Sequence, residues 1–228
     1  MKTASLSIDL GKAVDDNKNI LIVAYGINEG VENRLKEILS LYLKKNNCGY
    51  LLAPLYTCVK ELLMNAIKAN FKFIFFEGYE SKNEVDELIG YEKALQVFKL
   101  EMSREEARYL ESLAKRNDIK AHVLFNYSDG SLNITVANPV PMTELEKEKV
   151  REKLQDAGRC EDISEYFLKI ADDPYREGAG IGLVLVTMML KSLRIPENGF
   201  SIKAGSSRTV AHLKIPLNNA ILKNYTRS

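Results

Sequence analysis

The chain has 228 residues, enough for one large or two small domains, and its 46% apolar content allows a substantial core. With 32 basic groups against 31 acidic ones the net charge is +1, which gives no reason to expect a nucleic-acid partner held by bulk electrostatics. The longest uncharged run is 14 residues, too short for a membrane span of ~20.

The opening "MKTASLSIDLGK" lacks the apolar stretch of a signal peptide. Cys48, Cys58 and Cys160 fall at no metal-ligand spacing. They read as reduced thiols in a cytoplasmic protein.

In chain order, "NILIVAYG" (19–26) is a short β-rich run, read as a strand. Apolar residues at Val31, Leu35, Ile38, Leu39 and Leu43 give helical spacing, with a stop at Asn46 to Gly49. Pro54 suits the first turn of a second helix, expected to run to about Asn70. "FKFIFFEG" (71–78) is aromatic and β-branched, and is expected to be a strand. Residues 79–118 are charged and mostly helical, and read as a surface insertion. "IKAHVLFNYSDGSLNITVAN" predicts two strands joined by a tight turn at Ser128–Gly130.

Thr143 and Glu146 form the pattern of a capping box for a helix that ends at Gly158. "EDISEYFLKIADD" predicts another short helix. The stretch "REGAGIGLVLVTMMLKSL" (176–193) then sets Gly178, Gly180 and Gly182 before an apolar run that must be a buried helix. Two strands follow, near 199–204 and 208–215. Helices and hairpins mix without βαβ alternation. The expectation is therefore α+β: a single domain with a mainly antiparallel mixed sheet and helices on one face.

Two stretches carry chemistry. Glycines at the start of a helix let an anion approach the backbone, where free N–H groups and the helix dipole favour it. They serve close packing equally well. No Gly-Lys-Ser/Thr follows, so this is not a P-loop. In "YTCVKELLMNAIKANF", Glu61, Asn65 and Lys68 fall on one stripe of a helix at roughly 100° per residue. The amide oxygen of Asn65 can bind a hard metal, the Lys68 ammonium can meet phosphate, and the Glu61 carboxylate can orient or deprotonate a nucleophile. A solvated helix face has the same pattern.

Together "ELLMNAIKA" and "GAGIGL" resemble the N box and second glycine box of the GHKL superfamily of ATP-binding domains. That superfamily includes DNA gyrase, the ATP-driven heat-shock chaperones, the mismatch-repair MutL proteins and the sensor histidine kinases. The boxes stand in the family's order, with the hairpin between them. The resemblance covers about residues 30–216, with 79–118 as an unmatched insertion and 1–50 as a strand/helix extension.

It implies a two-layer α/β sandwich of the Bergerat type, ATP and Mg²⁺ as ligands, and an ATP lid over 143–177. It implies that Asn65 coordinates Mg²⁺, that Lys68 lies near the phosphates, and that Glu61 stands at the general-base position. Gly178, Gly180 and Gly182, with Leu183 closing the box, match the segment that meets the phosphates. Thr209 matches a threonine near the adenine.

The first glycine box departs from the family's Asp-x-Gly-x-Gly. In "VANPVPM" (136–142), Asn138 takes the Asp position, and Val140 and Met142 replace both glycines. An Asn carbonyl can still accept from an exocyclic amine. Read as a plain sequence, Asn138-Pro139 is also a strand-ending turn. Arg176 can reach a γ-phosphate from the lid, or be a solvated hinge charge.

"ELLMNAIK" looks most like the histidine-kinase branch, so the implied activity is phosphoryl transfer. His122 and His212 both fall in predicted strands, which makes neither a phosphoacceptor on an exposed helix. The acceptor would then be a partner protein in trans, and the 29–45 helix could dock it or form a homodimer. Two other readings stay open: a non-catalytic nucleotide-sensing or partner-binding module, and a simple ATPase with Glu61 as base.

Overall fold

The computed structural model describes residues 9–80, 104–166 and 181–217, with side chains described for 9–76, 105–166 and 181–217. Helix α1 (Leu10–Asp15) leads into strand β1 (Ile20–Ala24), helix α2 (Glu29–Lys45) and a 3₁₀ turn at Gly49–Leu51. Helix α3 spans Leu52–Glu80, and α4 spans Arg104–Arg116. The hairpin β2 (Ala121–Ser128) and β3 (Ser131–Asn138) follows, then α5 (Glu144–Arg159), α6 (described from Ile181 to Ser192), β4 (Phe200–Ala204) and β5 (Thr209–Pro216).

The five strands form one sheet in the order β1-β2-β3-β5-β4, and every pairing is antiparallel. The fold is α+β, a layer of helices on a five-stranded antiparallel sheet. Period-two alternation decides which side chains face the helices. Ile20, Ile22, Val123, Phe125, Ile134 and Leu213 are buried, while their neighbours Leu21 and Val23 on β1 are exposed. Asp129 and Gly130 adopt positive φ of 51° and 69°. A two-residue hairpin of this kind needs that conformation to match the strands' twist, and Asp-Gly supplies it cheaply.

Helix α2 has the predicted span. Asn28 caps its start, and Asn47 at φ 58° turns the chain out of it. Glu32 on α2 then holds α3: its carboxylate accepts from Tyr56 Oη at 2.8 Å and pairs with Lys60 Nζ at 2.8 Å. These contacts fix the rotation of α3 and so fix which face Glu61 and Asn65 present.

Residues 71–78 are not a strand. They continue α3. The buried positions Val59, Leu63, Ala66, Ile67, Phe71 and Ile74 recur at helical spacing through the junction. Between its first turn, which holds Pro54, and Gly78 the helix contains no Gly or Pro, so one continuous core stripe outweighs the strand preference of Phe and Ile.

The expected insertion is also more than surface. Leu110 and Ala114 of α4 are fully buried within the main core, and the α4 carboxylate of Glu111 lies against Gly26 at the end of β1. Residues 81–103 lie outside the described residues.

Helix α5 starts as the sequence predicts. Thr143 Oγ1 accepts from Glu146 N at 3.2 Å, and Glu146 Oε2 accepts from Thr143 N at 2.9 Å. Its far end is tied to α6. Ala157, Cys160 and Tyr166 form a small core with Val184 and Met188, and Lys191 Nζ donates to Cys160 O at 2.7 Å. The first part of the segment expected to form a lid is thus a packed helix. Of the helix expected over "EDISEYFLKIADD", a turn is described at 163–166. All three cysteines are buried and none is in a disulfide, and burial pushes the Cys58 thiol up to about 12. Among the described residues, no helix is long and apolar enough to cross a membrane.

Candidate functional site

The first described turn of α6 lies directly on α3. A Cβ built on Gly182 would overlap the Glu61 carboxylate, and it would stand 3.8 Å from Asn65 Nδ2. With Glu61 in this position only a hydrogen fits there, so a larger residue would have to displace the carboxylate. The Glu61–Asn65 stripe of α3 and Gly182 of α6 therefore face one another. Gly178, Gly180 and Arg176 lie outside the described residues.

Asn65 belongs to this contact and also lines a cavity of about 600 Å³ between α3, α5, α6 and the sheet. Asn138, Leu183 and Thr209 line the same cavity. Asn138 and Thr209 are directly opposite on β3 and β5, and both are buried. Thr209 Oγ1 donates to Val140 O at 2.8 Å, and Asn138 Nδ2 donates to the same carbonyl at 3.4 Å. That carbonyl orients the amide, so one Nδ2 hydrogen of Asn138 is used and its Oδ1 remains as an acceptor. Thr209 spends its proton on the loop and keeps only acceptor capacity.

Most of the remaining lining is apolar. Val140 and Met142 contribute to it along with Phe73, Phe76 and Val150.

Lys68 does not join the site. It is exposed and is absent from the cavity wall. The α3 cation that lines the cavity is Lys72, which pairs with Glu146 of α5. Burial first, and then the like charge of Lys149, press the Lys72 ammonium below its ordinary pKa. The Glu146 carboxylate works against both. Lys149 and Lys153, on the same face of α5, complete this end of the cavity.

Sequence reasoning missed these groups for a definite reason. Lys72 stands seven residues after Asn65, two helical turns along the same stripe. Ending α3 at residue 70 and placing 71–78 in a strand moved it off that stripe.

Among the described residues there is no cluster of three or more His, Cys, Asp or Glu side chains able to hold a metal by themselves. A Mg²⁺ ion carried by phosphates needs less from the protein, since one or two side-chain oxygens beside phosphate oxygens suffice. The Asn65 amide, beside a glycine that leaves the backbone bare, fits that requirement.

No family model matches the chain, and no solved structure matches it. A curated protein from Treponema pallidum (strain Nichols), described as uncharacterized, is 27% identical over 216 residues, covering 95% of this chain and 41% of the relative. The chain thus spans less than half the length of the curated relative it matches.

Proposed function

We propose that this chain binds ATP with Mg²⁺ between α3 and α6, in the manner of the GHKL superfamily, and passes the γ-phosphoryl group to a partner protein. One observation carries the reading. Asn65 lies against Gly182 on one side and lines the cavity on the other, so the amide, Gly182 and a mostly apolar slot are contiguous.

In this reading the base enters the apolar slot and Asn138 Oδ1 accepts from its exocyclic amine. Asn65 Oδ1 would hold Mg²⁺, which when bound would neutralise charge on the phosphates. Glu61 orients the attacking group or takes its proton. Backbone N–H groups of the glycine segment offer positive dipoles to developing charge. An acceptor in trans fits the placement of both histidines, His122 on β2 and His212 on β5. A cytoplasmic setting fits cysteines that form no disulfide.

A second reading is a nucleotide-sensing module without catalysis. What favours it is the wall built by Val140 and Met142, which makes the slot tighter and more apolar than a double-glycine box would.

Calorimetric titration with Mg-ATP tests the proposal, followed by assays for released and transferred phosphate. Binding that is lost in Asn65→Asp, with phosphate reaching a co-purifying protein, supports kinase chemistry. Glu61→Ala should then bind Mg-ATP and turn none over. Binding without turnover in the wild type selects the sensing module, and phosphate release without a partner selects a plain ATPase. Absence of Mg-ATP binding by the wild-type chain refutes all three.

A further inference from the structure

The two edges of the sheet differ. Strand β4, at one edge, carries an exposed lysine, Lys203. A charge on an edge strand keeps other strands away, because pairing would desolvate it. Strand β1, at the other edge, has no such guard. It reads Ile-Leu-Ile-Val-Ala, with no charge, glycine or proline. It pairs with β2 through five consecutive residues, with no bulge to twist it away. Among the described residues no strand lies on its outer side, and helix α1, which leads into it, packs on α2. Alternate residues of β1 therefore point their N–H and C=O groups out of the sheet.

Apolar groups frame this open ladder on both faces. Ile20, Ile22 and Ala24 lie on the helix side and are buried, while Leu21 and Val23 on the other side are 55% and 43% exposed. A strand that adds here has to be apolar on both faces and uncharged over its length. A second copy of β1 meets that requirement. Antiparallel pairing about a two-fold axis through Ile22 sets Ile20 opposite Ala24 and Leu21 opposite Val23, each twice, so like faces meet.

The ends match in charge as well. Lys18 and Gly26 are equally spaced on either side of Ile22, so the axis brings Lys18 of one copy to Gly26 of the other. The Glu111 carboxylate lies against Gly26, with its other oxygen on Lys115. Lys18 now meets Asp16 at the surface, and the remaining charges beside Gly26, Asp118 and Lys120, pair with each other. Moving the axis to Leu21 would set Lys18 opposite Ala24 instead and lose the contact with Glu111.

We propose that β1 is a self-association edge, where two copies of this chain pair β1 with β1, antiparallel and centred on Ile22, and so join their five-stranded sheets into one. The ladder is short, about 17 Å at ~3.4 Å per residue, and falls below the ~800 Å² per partner of a tight complex. The dimer is therefore reversible, with a Kd on the order of 10–100 µM. None of the β1 residues lines the cavity, so the proposal goes beyond the nucleotide reading and does not depend on it.

Sedimentation equilibrium of the whole chain from about 5 to 500 µM tests it. The wild type should pass from monomer to dimer and go no further, because the pairing consumes the unguarded edge. Leu21 and Val23 are exposed, so the double variant Leu21→Lys, Val23→Lys keeps the fold and should stay monomeric. The double variant Leu21→Glu, Val23→Glu should do the same. Mixed in equal amounts, the two should form a heterodimer, since opposite charges then face each other. Lys18→Glu should weaken the dimer of otherwise wild-type chains about tenfold, because the two-fold axis repeats the contact. Hydrogen exchange locates the interface: the β1 N–H groups that point away from β2 should slow as the dimer forms. A wild type that stays monomeric over the whole range would overturn the proposal. So would dimers of the lysine double variant, a mixture that stays monomeric, or a dimer in which β1 exchange is unchanged, which would mark stacking of sheet faces. An unaffected Lys18→Glu dimer would overturn the pairing centred on Ile22. Mg-ATP titration of the lysine double variant should match the wild type, so either reading can fail alone.

Discussion

Replacing Gly182 with alanine puts a methyl group where the Glu61 carboxylate now lies. The atom it meets is the far end of a flexible side chain, so relief comes from moving Glu61 rather than the backbone. Pushing a side chain off its rotamer costs about 0.5–1.5 kcal/mol. Alanine in place of a helical glycine returns roughly 0.5–1 kcal/mol. Folding stability should therefore stay within about 1 kcal/mol of wild type, a Tm change of no more than roughly 4 °C for a chain of this size. The site should respond differently. Glu61 is displaced beside Asn65 and carries a negative charge into the space assigned to phosphate, so Mg-ATP affinity should fall about tenfold or more, the equivalent of ~1.4 kcal/mol. The double variant Glu61→Ala, Gly182→Ala removes the obstructing carboxylate and should recover most of that loss. Calorimetry and a thermal melt on the same samples measure both effects. Unchanged affinity in Gly182→Ala would refute the shared cleft. A Tm drop beyond about 10 °C would show that the methyl group meets something that cannot move.

Two further outcomes concern the scaffold. Asn70 is fully buried on α3, and neither its Oδ1 nor its Nδ2 has a hydrogen-bond partner among the described residues. An unsatisfied buried group costs about 1–3 kcal/mol. Asn70→Leu should therefore raise stability in urea unfolding by about 1–2 kcal/mol, and a destabilised variant would show that the amide is bonded after all. Burial first, then Lys203 and Lys214, hold His212 below its ordinary pKa. The unfolded chain thus takes up a proton at about pH 6.5 that the folded chain refuses until lower pH. The stability linked to His212 is complete above that value and is lost as pH falls through the window down to the folded pKa. His212→Asn should flatten the acid side of a plot of Tm against pH over that window, and an unchanged slope would assign the acid sensitivity to other groups.

Local chemistry was legible in the sequence wherever neighbours along the chain decide the outcome. Asp129-Gly130 makes its hairpin, and Thr143 and Glu146 close their capping box. Alternation and helical spacing set α2, β1 to β3 and the mainly antiparallel character of the sheet, because those signals repeat every two or every 3.6 residues. The Glu61–Asn65 stripe was visible on the same grounds, and the glycine at 182 announced a close approach without naming what approached.

Contacts between distant segments were decided only in three dimensions. Residues 71–78 have strand composition, yet the buried stripe of α3 runs through them. That one difference brought Lys72 into the cavity. The burial of Leu110 and Ala114 turned part of an expected surface insertion into core. The meeting of Gly182 with Glu61, the shared carbonyl of Val140 beneath Asn138 and Thr209, and the three lysines at one end of a cavity all join residues far apart in the chain. No periodicity encodes such pairings, because side-chain packing across elements sets them and sequence neighbours do not take part.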